Sequence, residues 1–157
     1  GYLKNADKNE FIVQKAVELG VNKIIAFSSE YSSAYMNDNK LARLNKVAKE
    51  ASKQCLRSYA PTVEYADDFE TAIESLTSYK NKIFACEFAT ESGVDLRALT
   101  GSTAIVIGSE GGFSRAEEEL ASAQGYASVT LGKRILRAET AGVALTAVVM
   151  FHLGELG

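Results

Sequence analysis

Apolar positions along the chain alternate between a helical period and short continuous runs. In residues 7–19, Phe11, Ile12, Ala16 and Leu19 recur at helical spacing, and Gly20 follows as a terminator. Lys23–Phe27 is a short apolar run of the kind that forms a buried strand, and residues 28–39 are polar and tyrosine-bearing, a loop. A long helix is expected over residues 40–57, stopped by Pro61, with a strand at 62–64 and a helix at 68–76. Strands are expected at 82–88, 102–107 and 127–131, a loop at 89–93, and helices at 115–124 and 139–153. Helices alternating with short apolar strands predict an α/β domain with a mostly parallel sheet. In such a sheet ligands bind beyond the carboxyl ends of the strands, so the candidate loops are 87–93, 108–113 and 131–138.

The long helix carries a second pattern. At 100° per residue Leu41, Leu44, Val47, Ala48, Ala51 and Cys55 share one face, and Arg43, Lys46, Lys49, Lys53 and Arg57 fall opposite. Two readings stand: a solvated outer face, or a stripe of cations spaced to follow RNA phosphates.

Length and composition narrow the class. The chain has 157 residues, 46% hydrophobic and 24% charged, which fits one globular domain without a linker. No apolar run is long enough to span a bilayer and no signal peptide is present, so a cytoplasmic protein is expected. The chain starts at Gly1 without methionine, and we expect one domain of a longer protein. The net charge of −3 argues against nonspecific nucleic-acid binding by the whole surface and leaves room for a local basic patch. Cys55 and Cys86 have no metal-ligand spacing and read as free thiols, no metal site is expected, and the single histidine, His152, sits in the last helix away from any catalytic partner.

Two segments carry candidate chemistry. A β-branched run leads into Gly108-Ser109-Glu110-Gly111-Gly112-Phe113, and Ser114 then opens a helix with Glu117 as its capping-box partner. Its glycine spacing fits neither a P-loop nor a dinucleotide-binding fingerprint, so spacing alone allows a ligand loop or a tight turn. Gly111 is expected to be glycine because backbone approaches a ligand there. The second segment, Leu131-Gly132-Lys133-Arg134-Ile135-Leu136-Arg137-Ala138, interleaves cations with Ile135 and Leu136, which either plug the sheet top or line a pocket for a planar base. Glu139 is favourable at the start of the last helix.

Together, Gly108-Ser109-Glu110-Gly111-Gly112-Phe113 and Leu131-Gly132-x-x-Ile135-Leu136-Arg137-x-Glu139-Thr140-Ala141 resemble the SPOUT methyltransferases. More narrowly they resemble the ribosomal RNA small-subunit uridine N3-methyltransferase (RsmE) family. The motifs around Gln14 to Val21, Ser29 to Ser32 and Glu50 to Pro61 agree, so the resemblance covers the chain. It departs in two places: Ser109 stands where the family usually has proline, and the family's N-terminal PUA-like RNA-binding domain is expected to lie outside this chain.

The resemblance implies a SPOUT catalytic domain over residues 1–157 with a deep C-terminal trefoil knot, a homodimer, S-adenosylmethionine as cofactor and small-subunit ribosomal RNA as substrate. Leu131, Gly132, Leu136 and Ala138 are then expected to hold the adenine, with Ile135 in the apolar wall. Ile107, Gly108, Glu110 and Gly111 are expected to flank the ribose and methionine part. Arg137 is expected to stabilise the uracil anion, with Glu110 orienting it or accepting a proton, and Arg43, Lys46, Lys49, Lys53 and Arg57 are the RNA-binding candidates. The competing readings are a related enzyme methylating a ribose 2′-hydroxyl, a non-catalytic cofactor- or RNA-binding module, and a generic nucleotide-binding domain.

Overall fold

The computed structural model describes residues 1–86 and 93–157. The chain runs α1 (Ala6–Glu18), β1 (Lys23–Phe27), α2 (Asp38–Gln54), β2 (Thr62–Ala66), α3 (Phe69–Glu74), β3 (Asn81–Ala85), a short 3-10 helix (Leu96–Ala98), β4 (Thr103–Val106), α4 (Arg115–Ala123), β5 (Ala127–Val129) and α5 (Ala138–His152). The first four α-helices start where a side chain can take an orphan amide: Asn5, Asn37, Asp68 and Ser114 each accept from an N–H of the first turn.

Every strand pair is parallel, as the alternation of helices and strands predicts. Among the described residues the strands form two sheets rather than one, β1-β2 and β4-β3-β5. A shared core joins them. Phe27 and Ala66 of the first sheet and Phe84 and Val106 of the second pack with Phe69 and Ile73 of α3, Phe113, and Ala121 of α4. The Phe69 ring lies 5.6 Å from Phe27 and 5.5 Å from Phe113, so one aromatic chain crosses the junction. On the opposite face α1 and α2 cover Val63 of β2, while α5 covers Ile83 and Val129.

Several boundaries differ from the sequence pattern: α2 begins at Asp38 within the expected loop, β2 runs on to Ala66, α3 is shorter at Phe69–Glu74, and β5 stops at Val129. The long helix ends at Gln54, not at Arg57, and Pro61 plays no part in stopping it. Leu56 takes a left-handed conformation (φ 60°) and the Arg57 N–H donates to the Ser52 carbonyl at 2.9 Å, a closure that satisfies the last turn at the expense of an exposed leucine. The apolar period runs on through Cys55, so nothing in it marks this stop. The third strand is Asn81–Ala85, its ladder prolonged by the Cys86 N–H to the Val129 carbonyl at 3.0 Å. The strand end and loop expected over 87–92 lie outside the described residues. The 3-10 helix, one turn capped by Asp95, is too short to leave a period.

Tyr126 ties the end of α4 to α3. Its ring is buried and its hydroxyl donates to the Ile73 carbonyl at 2.9 Å. Burial pushes its pKa from 10.0 up to about 12. A folded-state pKa above the unfolded value favours the neutral form, so this contribution is intact below pH 10 and is lost as the pH rises towards 12. Between those values wild-type stability is expected to fall more steeply than that of Tyr126→Phe in urea-denaturation midpoints. Parallel curves would remove Tyr126 from the alkaline transition.

Candidate functional site

The chain leaves β4 into a turn closed by the Gly112 N–H on the Ser109 carbonyl at 3.0 Å, with Gly112 at φ +70°. Ser114 and Glu117 form the expected capping box: the Ser114 Oγ accepts from the Glu117 N–H, and the Glu117 carboxylate accepts from the Ser114 N–H at 2.9 Å. The second Glu117 oxygen accepts from the Glu30 N–H at 2.9 Å, so one buried carboxylate fastens the loop after β1 to the start of α4. Ser29 adds a contact to the same turn, its hydroxyl 3.3 Å from that of Ser109. Serine therefore supplies a link at 109 that proline has no hydroxyl to make.

This arrangement corrects the reason for Gly111. A Cβ there would sit 2.6 Å from the Tyr31 Cβ, so the neighbouring loop requires the glycine before any ligand does. The Glu110 carboxylate accepts from the Lys4 N–H, at 3.1 and 3.4 Å, and holds the segment leading into α1 against the turn. Asn9 fixes that segment from the other side, exchanging hydrogen bonds with the Leu3 backbone at 2.9 and 2.8 Å.

The second loop follows β5. Gly132 adopts φ +102°, a conformation that L side chains rarely take, with open space where a Cβ would stand. Arg137 occupies the N-cap position of α5 without capping it and is exposed; Ile135 is 77% exposed.

The two loops close around a cavity of about 450 Å³, within the range of small-molecule sites. From the first loop the cavity takes Ile107, Gly108 and Glu110, but not Gly111. From the second it takes Leu131, Gly132, Ile135, Leu136, Arg137 and Ala138. It also gathers residues that sequence reasoning missed. Cys86, at the end of β3, donates its thiol to Glu118 at 3.2 Å. Lys8 of α1 pairs with Glu139 of α5 at 3.0 Å. Lys8 stands far from Glu139 in sequence, and only the fold joins them. Burial pushes the Glu139 carboxyl up, but its own backbone N–H, Lys8 and Arg137 outweigh that and hold it below the usual carboxylate range.

The basic face of α2 is divided. Arg43 makes a bidentate pair with Glu10 at 2.9 Å, and Lys53 pairs with Glu50 at 3.1 Å. Arg57 lies past the end of α2 rather than on its face. Its guanidinium donates to the Val17 and Val21 carbonyls at 2.9 Å and stacks on Tyr59. Lys46 and Lys49 are exposed. A separate cavity of about 1010 Å³ runs between β1 and β4 beneath α1 and α5, walled largely by strand backbone and aliphatic side chains such as Ile24, Ile105 and Val149. The two-loop cavity is the stronger candidate because it combines glycine turns, an apolar wall and convergent charges.

A cavity at the carboxyl ends of parallel strands places the chain among α/β proteins that bind ligands through the loops beyond their sheets. Within that class it belongs to the RNA methyltransferase domain family, whose model matches residues 1–150. It is 34% identical to ribosomal RNA small subunit methyltransferase E of Mesomycoplasma hyopneumoniae over 139 residues, which cover 87% of this chain and 61% of that protein. It is 33% identical to the Bacillus subtilis protein of the same name over 160 residues, covering 93% and 62%. The chain thus spans about three-fifths of the length of these curated relatives. Among solved structures it resembles the Neisseria gonorrhoeae ribosomal RNA small subunit methyltransferase E bound to S-adenosyl methionine, with a TM-score of 0.87 and 30% identity, covering 98% of this chain and 64% of that one.

Ser114→Ala is expected to cost about 1–2 kcal/mol, the usual worth of an N-cap side chain. Glu117→Ala, which also frees the Glu30 N–H, is expected to cost more. Urea unfolding of both variants checks this; equal costs would show that the Glu30 contact contributes nothing.

Proposed function

We propose that this chain is the catalytic domain of an S-adenosylmethionine-dependent methyltransferase that modifies uridine N3 in small-subunit ribosomal RNA. The observation that carries the reading is the convergence of the two glycine loops and Arg137 on one 450 Å³ cavity. The names of the relatives and the cofactor in the similar Neisseria structure point the same way. The cavity fits such a cofactor in size, in its aliphatic wall of Ile107, Val129 and Leu131, and in the open backbone at Gly132.

Leu131, Gly132, Leu136 and Ala138 hold the adenine in this reading, and Gly108 and Glu110 border the opposite end. S-adenosylmethionine supplies a methyl group already activated on a sulfonium. The residues of the chain then have two tasks: to place the uracil N3 in line with that methyl, and to favour loss of the N3 proton. Arg137 suits the second. Its guanidinium is exposed at the cavity and hydrogen-bonded to no protein group among the described residues, so it can face the oxygens of the uracil anion. Glu110 serves to hold the Lys4 segment against the site, since both its oxygens face that N–H. For RNA contact the exposed Lys46 and Lys49 are the best placed of the α2 cations.

A homodimer completes the proposal. Val148 and Phe151 of α5 and Ile135 of the second loop are 37%, 60% and 77% exposed, apolar side chains that a second copy could cover. A C-terminal trefoil knot belongs to the same reading, and the extra length of the relatives leaves room for an N-terminal RNA-binding domain. A ribosomal RNA substrate goes with a cytoplasmic location in this reading. Among the described residues no helix is long and apolar enough to cross a membrane.

Incubation of the full-length protein with unmodified small-subunit RNA and labelled cofactor, followed by nucleoside analysis, is expected to yield N3-methyluridine. A 2′-O-methyl product or no product would overturn the assignment. Arg137→Ala is expected to lower transfer at least about 100-fold while S-adenosylhomocysteine still binds; undiminished turnover would remove Arg137 from the mechanism. Phe151→Asp is expected to shift sedimentation equilibrium towards monomer, and an unchanged mass would place the interface elsewhere.

A further inference from the structure

Among the described residues, one carboxylate oxygen at the cavity lacks a partner. Glu110, Glu118 and Glu139 are the acidic residues that reach the cavity wall among those described. Glu110 is engaged by the Lys4 N–H, and Glu118 by the Cys86 thiol. Glu139 gives one oxygen to Lys8, at 3.0 Å, while its Oε2 is buried with no hydrogen-bond partner among the described residues. A buried anionic oxygen without a donor is costly to keep, so such an atom on a cavity-lining residue favours a ligand that brings a donor. Beside it stands a lysine whose ammonium has three donors, of which the Glu139 pair uses one.

The placement of this pair is built, not incidental. Asn5 caps α1, Asn9 clasps the Leu3 backbone, and Glu110 holds the Lys4 N–H, so the first turns of α1 are fixed against the glycine turn and carry Lys8 to the cavity. Glu139 is fixed as the second residue of α5, directly after Ala138 of the cofactor loop. A neighbouring cation and anion, each with unused hydrogen-bonding capacity, match a ligand end that carries the opposite pair of charges.

Resting on the methyltransferase reading above, we propose that Lys8 and Glu139 clamp the zwitterionic amino-acid end of the S-adenosyl ligand, Glu139 Oε2 accepting from its α-ammonium and Lys8 Nζ donating to its α-carboxylate. The cavity then divides by chemistry. The Leu131 to Ala138 loop takes the flat adenine, and the junction of α1 with α5 takes the charged tail. The side-chain carboxylate of Glu139 is ionised at neutral pH, which the clamp requires. Arg137 remains available for the RNA base.

Calorimetric titration with two ligands tests this without any turnover. S-adenosylhomocysteine carries the amino-acid end; 5′-methylthioadenosine keeps the adenosyl sulfide and lacks it. Wild-type protein is expected to bind both, the first more tightly. Glu139→Gln, nearly isosteric, and Lys8→Met are each expected to lower S-adenosylhomocysteine affinity at least about tenfold while leaving 5′-methylthioadenosine affinity unchanged. Thermal unfolding of each variant confirms that it is folded. If the variants weaken both ligands equally, or neither, the clamp is overturned while the cofactor reading survives. If folded wild-type protein binds neither ligand, the cofactor reading and the clamp fall together.

Discussion

The buried carboxylate of Glu117 is the contact on which the site depends. A glycine-rich turn has too many accessible backbone conformations to hold a cavity wall by itself. Glu117 removes that freedom by taking the Ser114 N–H with one oxygen and the Glu30 N–H with the other. The α4 start, the glycine turn and the loop after β1 thereby become one rigid unit, and the Phe113 ring, packed between Phe69 and Phe84, anchors it to the shared core. Charge-assisted hydrogen bonds to backbone amides, sheltered from water, are among the stronger polar contacts a fold can make.

The cavity that results is assembled from pieces distant in sequence. Its walls come from α1, the end of β3, the turn after β4, the loop after β5 and the first turn of α5. Asn9 and Glu110 fix the approach to α1 and Glu117 fixes the turn, while Gly132 lets the second loop take a positive-φ bend. The charged groups are kept apart by these same devices. Glu110 and Glu118 are occupied within the protein, whereas Glu139 and Arg137 retain capacity for a ligand. In the proposed reading, one cavity serves a charged cofactor tail and a polar base without the two competing for one side chain.

Much of this architecture was legible in the sequence. Lys23–Phe27 forms the expected strand, the capping box at Ser114 and Glu117 is present, and the two glycine segments do meet. These features are local, written in spacing and residue type. Leu56 was not legible, because a leucine in a left-handed conformation breaks the usual preference and the apolar period runs past it. Arg57 looked like part of a basic stripe because its periodicity matches; its hydrogen bonds to Val17 and Val21 depend on α1 lying alongside. The need for glycine at 111 was visible, but its cause, the Tyr31 side chain, was not. Lys8 carried no local signal, since its meaning arises only from a partner on the last helix.

The most direct test of the two-loop site is hydrogen–deuterium exchange with and without S-adenosylhomocysteine. Protection is expected in residues 108–113 and 131–139 and at the start of α1, with α2 unchanged. Protection confined to β1, β4 and the face of α5 that borders the larger cavity, or no ligand-dependent protection in a folded sample, would contradict the account.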